Sequence, residues 1–168
     1  MKKISLLFTL AFSVSAMAQQ SADVTLRVTL NPIQTIFVDN NANILMEYSE
    51  PSHYQKGIKK EADNQLRVFS TNSFVVKAAS SNPEFDELKM TIKAEKGSSN
   101  PLESIVRNEV MVLESDKKYQ NLFTSETGAN DLTVKMIYQG KGEGAYIGLF
   151  GKAKKDYSTT VTYTIEPI

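Results

Sequence analysis

The sequence predicts an all-β fold, an antiparallel two-sheet β-sandwich of about eight to ten strands, and three observations carry that prediction. Apolar and polar residues alternate with a period of two along most of the chain. Turn-forming residues punctuate these runs at intervals of roughly ten residues. No stretch has the helical spacing of an amphipathic helix of useful length. A closed barrel is the competing arrangement, but uneven strand and loop lengths and the scarcity of two-residue turns favour the sandwich.

Ahead of the strands, residues 1–18 have the build of a cleavable export signal: Lys2 and Lys3, an apolar run from Ile4 to Val14, and Ala16-Met17-Ala18 before Gln19. Small side chains at the third-last and last positions fit a signal peptidase. The cut is expected after Ala18, with residues 19–168 forming one β-sandwich domain. The apolar run is shorter than the ~20 residues of a spanning helix, so no membrane insertion is expected after cleavage. Of 19 basic and 19 acidic residues only Lys2 and Lys3 fall in the signal, leaving a net charge of about −2. That balance offers no footprint for nucleic acid or an anionic membrane. Cysteine is absent, which removes disulfides, lipoprotein anchoring, thiol catalysis and Cys-ligated zinc and leaves packing to hold the domain.

Each element follows from local pattern. In the first, Val24, Leu26, Val28 and Leu30 share one face of an extended strand, with Thr25, Arg27 and Thr29 on the other. Pro32 has no N–H to offer and interrupts the ladder, after which Ile33 to Val38 resumes as a second short strand. Asp39 to Asn43 is a polar turn leading into Ile44 to Tyr48, and Glu50 to Asn64 reads as a surface loop with room for one helical turn. Leu66 to Phe69 and Phe74 to Ala78 read as a hairpin pair around Ser70 to Ser73. Leu88 to Ala94 alternates and closes at Gly97 to Pro101, and further strands are expected at Glu109 to Leu113 and Asn121 to Thr124. Leu132 to Tyr138 and Tyr157 to Ile165 carry the strongest strand signals, the second rich in β-branched and aromatic residues. Between them, Gly140 to Gly144 suits a flexible hairpin tip and Ala145 to Phe150 a helical turn.

Reactive constellations are hard to assemble from these residues. His53 is the only histidine; it lies in a polar stretch without a G-x-S-x-G elbow, so a nucleophilic triad or a histidine metal site has no frame. Glu84, Asp86 and Glu87, or Glu114 and Asp116, offer the acid pair of a glycan hydrolase, yet they fall at turns and strand ends where solvated charge is the ordinary role. With no tryptophan, a sugar-gripping cleft is also under-supplied. Asp39, Asn41, Asn43 and Glu50 match the first, third, fifth and twelfth oxygen positions of an EF-hand calcium loop. The sixth position is Ile44 where that loop needs glycine, which favours a polar turn. No catalytic residue and no cofactor are expected. Tyr146 and Phe150 form a candidate partner contact, set against a role in capping the open end of the sandwich. The edge formed by Val24, Leu26, Val28 and Leu30 is the candidate for pairing with another chain.

Three features together, Val24 to Leu30, the mid-chain Phe74-Val75-Val76-Lys77-Ala78 and the closing Tyr157 to Ile165, resemble exported bacterial β-sandwich proteins of the WxL-like and fimbrial-adhesin-like kind. The resemblance covers most of residues 19–168 in pattern and order. It implies an immunoglobulin-like sandwich at the cell envelope or surface, acting by adhesion, assembly or carbohydrate contact. The chain departs from the pattern in lacking the WxL tryptophan and the cysteine pair of many chaperone–usher pilins. Those pilins also lack their final strand and borrow one. Strong strands at both ends here favour a self-complete fold, with donation of Val24 to Leu30 as the alternative. The expected function is a non-catalytic, adhesin-like structural or binding module exported to the periplasm, cell surface or medium. Its expected partner is a protein, a glycan or a second copy. A strand-exchanging pilus-like subunit and a small carboxylate-dependent glycan hydrolase are the other readings.

Overall fold

The computed structural model describes residues 23–39, 43–98, 107–108, 110–115, 119–149 and 155–168. The export signal, Asn41, Asp116 and Phe150 lie outside the described residues. Two compact units divide the chain, residues 1–30 and 31–168.

The second unit is all-β and sandwich-like. Its strands are β1 (Gln34–Val38), β2 (Ile58–Ser70), β3 (Phe74–Ser80), β4 (Thr91–Lys96), β5 (Arg107–Asn108), β6 (Met111–Val112), β7 (Gln120–Ser125), β8 (Ala129–Gly140) and β9 (Val161–Pro167). A five-stranded sheet has the order β1-β2-β8-β4-β6 and a four-stranded sheet the order β5-β7-β3-β9, with every ladder antiparallel. From β2 onward, successive strands belong alternately to the two sheets. Period-two burial builds the shared core. Leu66 and Val68 of β2, Ile92 and Ala94 of β4, and Leu132, Val134 and Met136 of β8 point inward from one sheet. Phe74, Val76, Ala78 and Phe123 meet them from the other, the Phe74 and Phe123 rings crossing edge to face at 6.3 Å.

Several elements depart from the sequence expectation. Leu66 to Phe69 and Phe74 to Ala78 are not a hairpin, because β2 and β3 lie in different sheets. Both inward sets face one core, and the corner between them is held by Ser70, whose Oγ donates to Asn72 O (2.7 Å) and accepts from Asn72 N. Most of the expected loop from Glu50 to Asn64 is structured. Helix α1 (Pro51–Lys56) starts on a proline, which suits a first helical turn, and ends at Gly57 with φ 78°. Then β2 begins at Ile58, with Lys59 and Glu61 on its wet face 2.6 Å apart and Lys135 of β8 also pairing with Glu61. These charges masked the strand in the sequence.

Of Leu88 to Ala94 only Thr91 onward is strand; Pro83–Leu88 is a short 3₁₀ helix, opened by Asn82 accepting Glu84 N. Leu88, Met90, Ile92 and Ala94 are nonetheless all buried. Gly140 to Gly144 is no free hairpin tip. A Cβ on Gly142 would lie 2.5 Å from the Lys56 carbonyl carbon, and Glu143 N and Gly144 N donate to Gln55 O and Tyr54 O, fastening this turn to α1. Tyr157 to Thr160 precede β9 without joining a ladder.

Candidate binding site: an exposed segment and a tyrosine-lined cleft

The first unit contributes residues 23–30, which carry no helix or strand. Val24, Leu26, Val28 and Leu30 are 92, 85, 70 and 89% exposed. The expected strand is therefore not laddered, and its apolar face is not in a core. Sequence pattern alone could not decide this, because alternation marks an apolar side without naming what covers it.

In the second unit a cleft of about 1060 Å³ opens between two stretches of chain that belong to no ladder. On one side runs 43–49, in which Ile44, Met46 and Tyr48 turn toward the core while Asn43, Leu45 and Glu47 face out. On the other runs 155–160, continuing into β9. Leu88, Met90 and Leu113 contribute apolar lining. The polar part is a relay from one sheet to the other, in which Tyr138 Oη donates to Gln65 Oε1 at 2.8 Å and lies 2.9 Å from Tyr163 Oη. Burial pushes both phenols up, Tyr163 the further, with the Tyr138 oxygen adding to its shift. These groups stay neutral and act as hydrogen-bonding groups.

Tyr48, Tyr54 and Tyr146 form an aromatic cluster at the cleft, with Tyr48 edge-on to Tyr54 at 5.3 Å and to Tyr146 at 4.9 Å. Burial raises the Tyr48 phenol, and its neighbour Tyr146 raises it further. Tyr146, a candidate partner contact in the sequence, is buried: its Oη donates to Leu88 O at 2.7 Å and accepts Lys141 N at 2.9 Å. It fastens the Lys141 turn to the 3₁₀ segment, so of the two expected roles its burial fits the cap and contradicts the partner contact. Gln65, Tyr138 and Tyr163 were not among the candidate site residues read from the sequence. The legible signal was two tyrosines on the inward face of the two strongest strands, where a phenol oxygen needs a partner.

The other sequence candidates are dispersed. Asp39 N donates to Gln65 O, Asn43 is exposed, and Glu50 accepts from Ser52 Oγ beside α1. Among the described residues no three His, Cys, Asp or Glu side chains gather as a metal site. His53 is half-buried in α1, its Nδ1 accepting Ser49 N at 3.4 Å. Asp86 accepts from Ser115 N and Oγ, and Glu114 pairs with Lys89 at 2.9 Å. Among the described residues no helix is long and apolar enough to cross a membrane. No protein-family model matches the chain, and no curated protein matches it in sequence.

Proposed function

We propose that this chain is a non-catalytic structural module of a bacterial cell envelope, exported behind residues 1–18, that assembles by lending Val24 to Leu30 to another molecule. The observation that carries this reading is the exposure, between 70 and 92%, of four aliphatic side chains at two-residue spacing. Alone in water such a row is a liability, at roughly 25 cal/mol for each Å² of apolar surface left wet. As an added strand it finds both main-chain partners and a dry face. This choice puts strand exchange ahead of the self-complete adhesin that two strong terminal strands favoured. An immunoglobulin-like classification of the sandwich belongs to the same reading, supported by strands that pass repeatedly between two antiparallel sheets.

Sedimentation velocity over a hundredfold range of concentration tests it. Concentration-dependent assemblies are expected for the chain. The double substitution Leu26→Asp with Val28→Asp is expected to remain monomeric with an unchanged melting temperature. A wild-type chain that stays monomeric throughout would refute self-assembly.

A further inference from the structure

We propose that the tyrosine-lined cleft is a binding site for a neutral saccharide, held by the rings of its tyrosines and by the unused ends of the relay through Gln65, Tyr138 and Tyr163. Six of the seven tyrosines of the chain, Tyr48, Tyr54, Tyr138, Tyr146, Tyr157 and Tyr163, line this cleft. No two of them come from the same strand, helix or connecting stretch, so nearness in sequence does not account for the gathering. Tyr48, Tyr54, Tyr157 and Tyr163 are only half-buried, which leaves part of each side chain open to an occupant. A tyrosine is a rigid apolar body with a polar tip, and it suits a ligand that is itself both. The volume of about 1060 Å³ is at the upper end for a small-molecule site.

The relay has two unused ends. Tyr138 gives its one proton to Gln65 Oε1, so the 2.9 Å bond between the two phenols is donated by Tyr163. The Tyr163 oxygen is left able to accept. The Gln65 amide nitrogen, with two protons to give, has no partner among the described residues. Gln65 is 5% exposed and borders the cleft, and a buried amide donor without an acceptor is costly. A donor and an acceptor set one phenol apart, beside the apolar Leu88, Met90 and Leu113, match neighbouring hydroxyls, each of which gives and takes.

Charge narrows the ligand class. Asp39, Glu47 and Asp156 line the cleft, and its single cation among the described residues, Lys155, lies 4.4 Å from the centre of the Tyr157 ring. Three carboxylates against one lysine disfavour a fatty acid, a phosphate or an acidic sugar. A wholly apolar ligand leaves the Gln65 amide unserved. An extended peptide meets a wall that is already engaged at Ser158 and Thr160: Ser81 N donates to Thr160 O, Thr160 N to Ser81 Oγ and Asn82 Nδ2 to Ser158 O. A neutral saccharide needs no main-chain template and brings hydroxyls to every polar end.

Because the chain has no tryptophan, its tyrosine emission reports on this cleft. The full chain is titrated with three neutral probes, cellotriose, maltotriose and triacetylchitotriose, and with trigalacturonate as the acidic counterpart. At least one neutral probe is expected to shift the emission saturably with a Kd below about 1 mM, and trigalacturonate to bind at least about tenfold more weakly. Tyr163→Phe removes the accepting oxygen and keeps the ring; Gln65→Met removes the amide at similar volume. Each is first required to melt cooperatively, and whichever folds should bind at least about tenfold more weakly, whereas Tyr119→Phe, outside the cleft, should bind as wild type. No saturable binding of any neutral probe to wild type, or undiminished binding by a folded Tyr163→Phe or Gln65→Met variant, would overturn the proposal. Equal binding of trigalacturonate would also overturn it, as would binding of a hexapeptide of alternating alanine and threonine in place of the saccharides.

Discussion

β8 and residues 24–30 carry the same message in sequence and opposite fates in structure. Leu132, Val134 and Met136 alternate with Thr133 and Lys135, and all three apolar side chains are fully buried. Val24, Leu26, Val28 and Leu30 alternate with Thr25, Arg27 and Thr29, and all four are exposed. β8 lies between β2 and β4 in the middle of its sheet; residues 24–30 have no ladder. Period-two alternation specifies which side of a strand must be covered. Coverage itself comes from non-local pairing, and a second molecule can provide it.

The largest effect that sharpens this contrast is a truncation made once in each row. Leu132→Ala should cost about 2–5 kcal/mol, the range for emptying a fully buried leucine site. Leu26→Ala should move monomer stability by less than about 0.5 kcal/mol, as for an exposed site, while lowering the extent of assembly. Urea unfolding in dilute solution measures both. A Leu26→Ala loss approaching that of Leu132→Ala would mean the first segment is already packed within its own chain.

A smaller loss is expected at the polar relay. Tyr138→Phe removes the hydroxyl that joins Gln65 to Tyr163 and leaves Gln65, only 5% exposed, without that donor. The expected cost is about 1–3 kcal/mol. A neutral result would indicate that water already serves these groups.

The smallest effect is electrostatic. Hydrogen bonds from Lys135 and then Lys59 hold the Glu61 carboxyl at about 2, against an ordinary value of 4.5. A depressed carboxyl adds stability that is present above its unfolded value and is lost as pH falls through its folded one. This contribution should therefore fade between pH 4.5 and about 2. Thermal melts of Glu61→Gln against wild type should converge at the acid end of that window and differ slightly above it. The pair lies on the wet face of β2, where solvent screening keeps the difference small.

Legibility in the sequence followed the same physics. The two-sheet all-β fold was readable because burial on one side leaves a period-two trace, as in Leu88 to Ala94 and Leu132 to Tyr138. The start of β2 was hidden because its wet face holds Lys59 and Glu61 and its ladder partner lies some eighty residues away in β8. The pairing of Leu66 to Phe69 with Phe74 to Ala78 misled because a corner between sheets and a hairpin share the same polar turn residues. Tyr146 stayed open between partner contact and cap because nothing local announces that Leu88 O and Lys141 N meet its hydroxyl. The cleft was illegible for a related reason: its walls, 43–49 and 155–163, come together only through the fold.

Amide hydrogen exchange at residues 24–30, followed from dilute monomer to concentrated assembly, tests the central claim most directly. Rapid exchange in the monomer and strong protection in the assembly is the expected result. Protection already complete at the lowest concentration, or none at the highest, would contradict it.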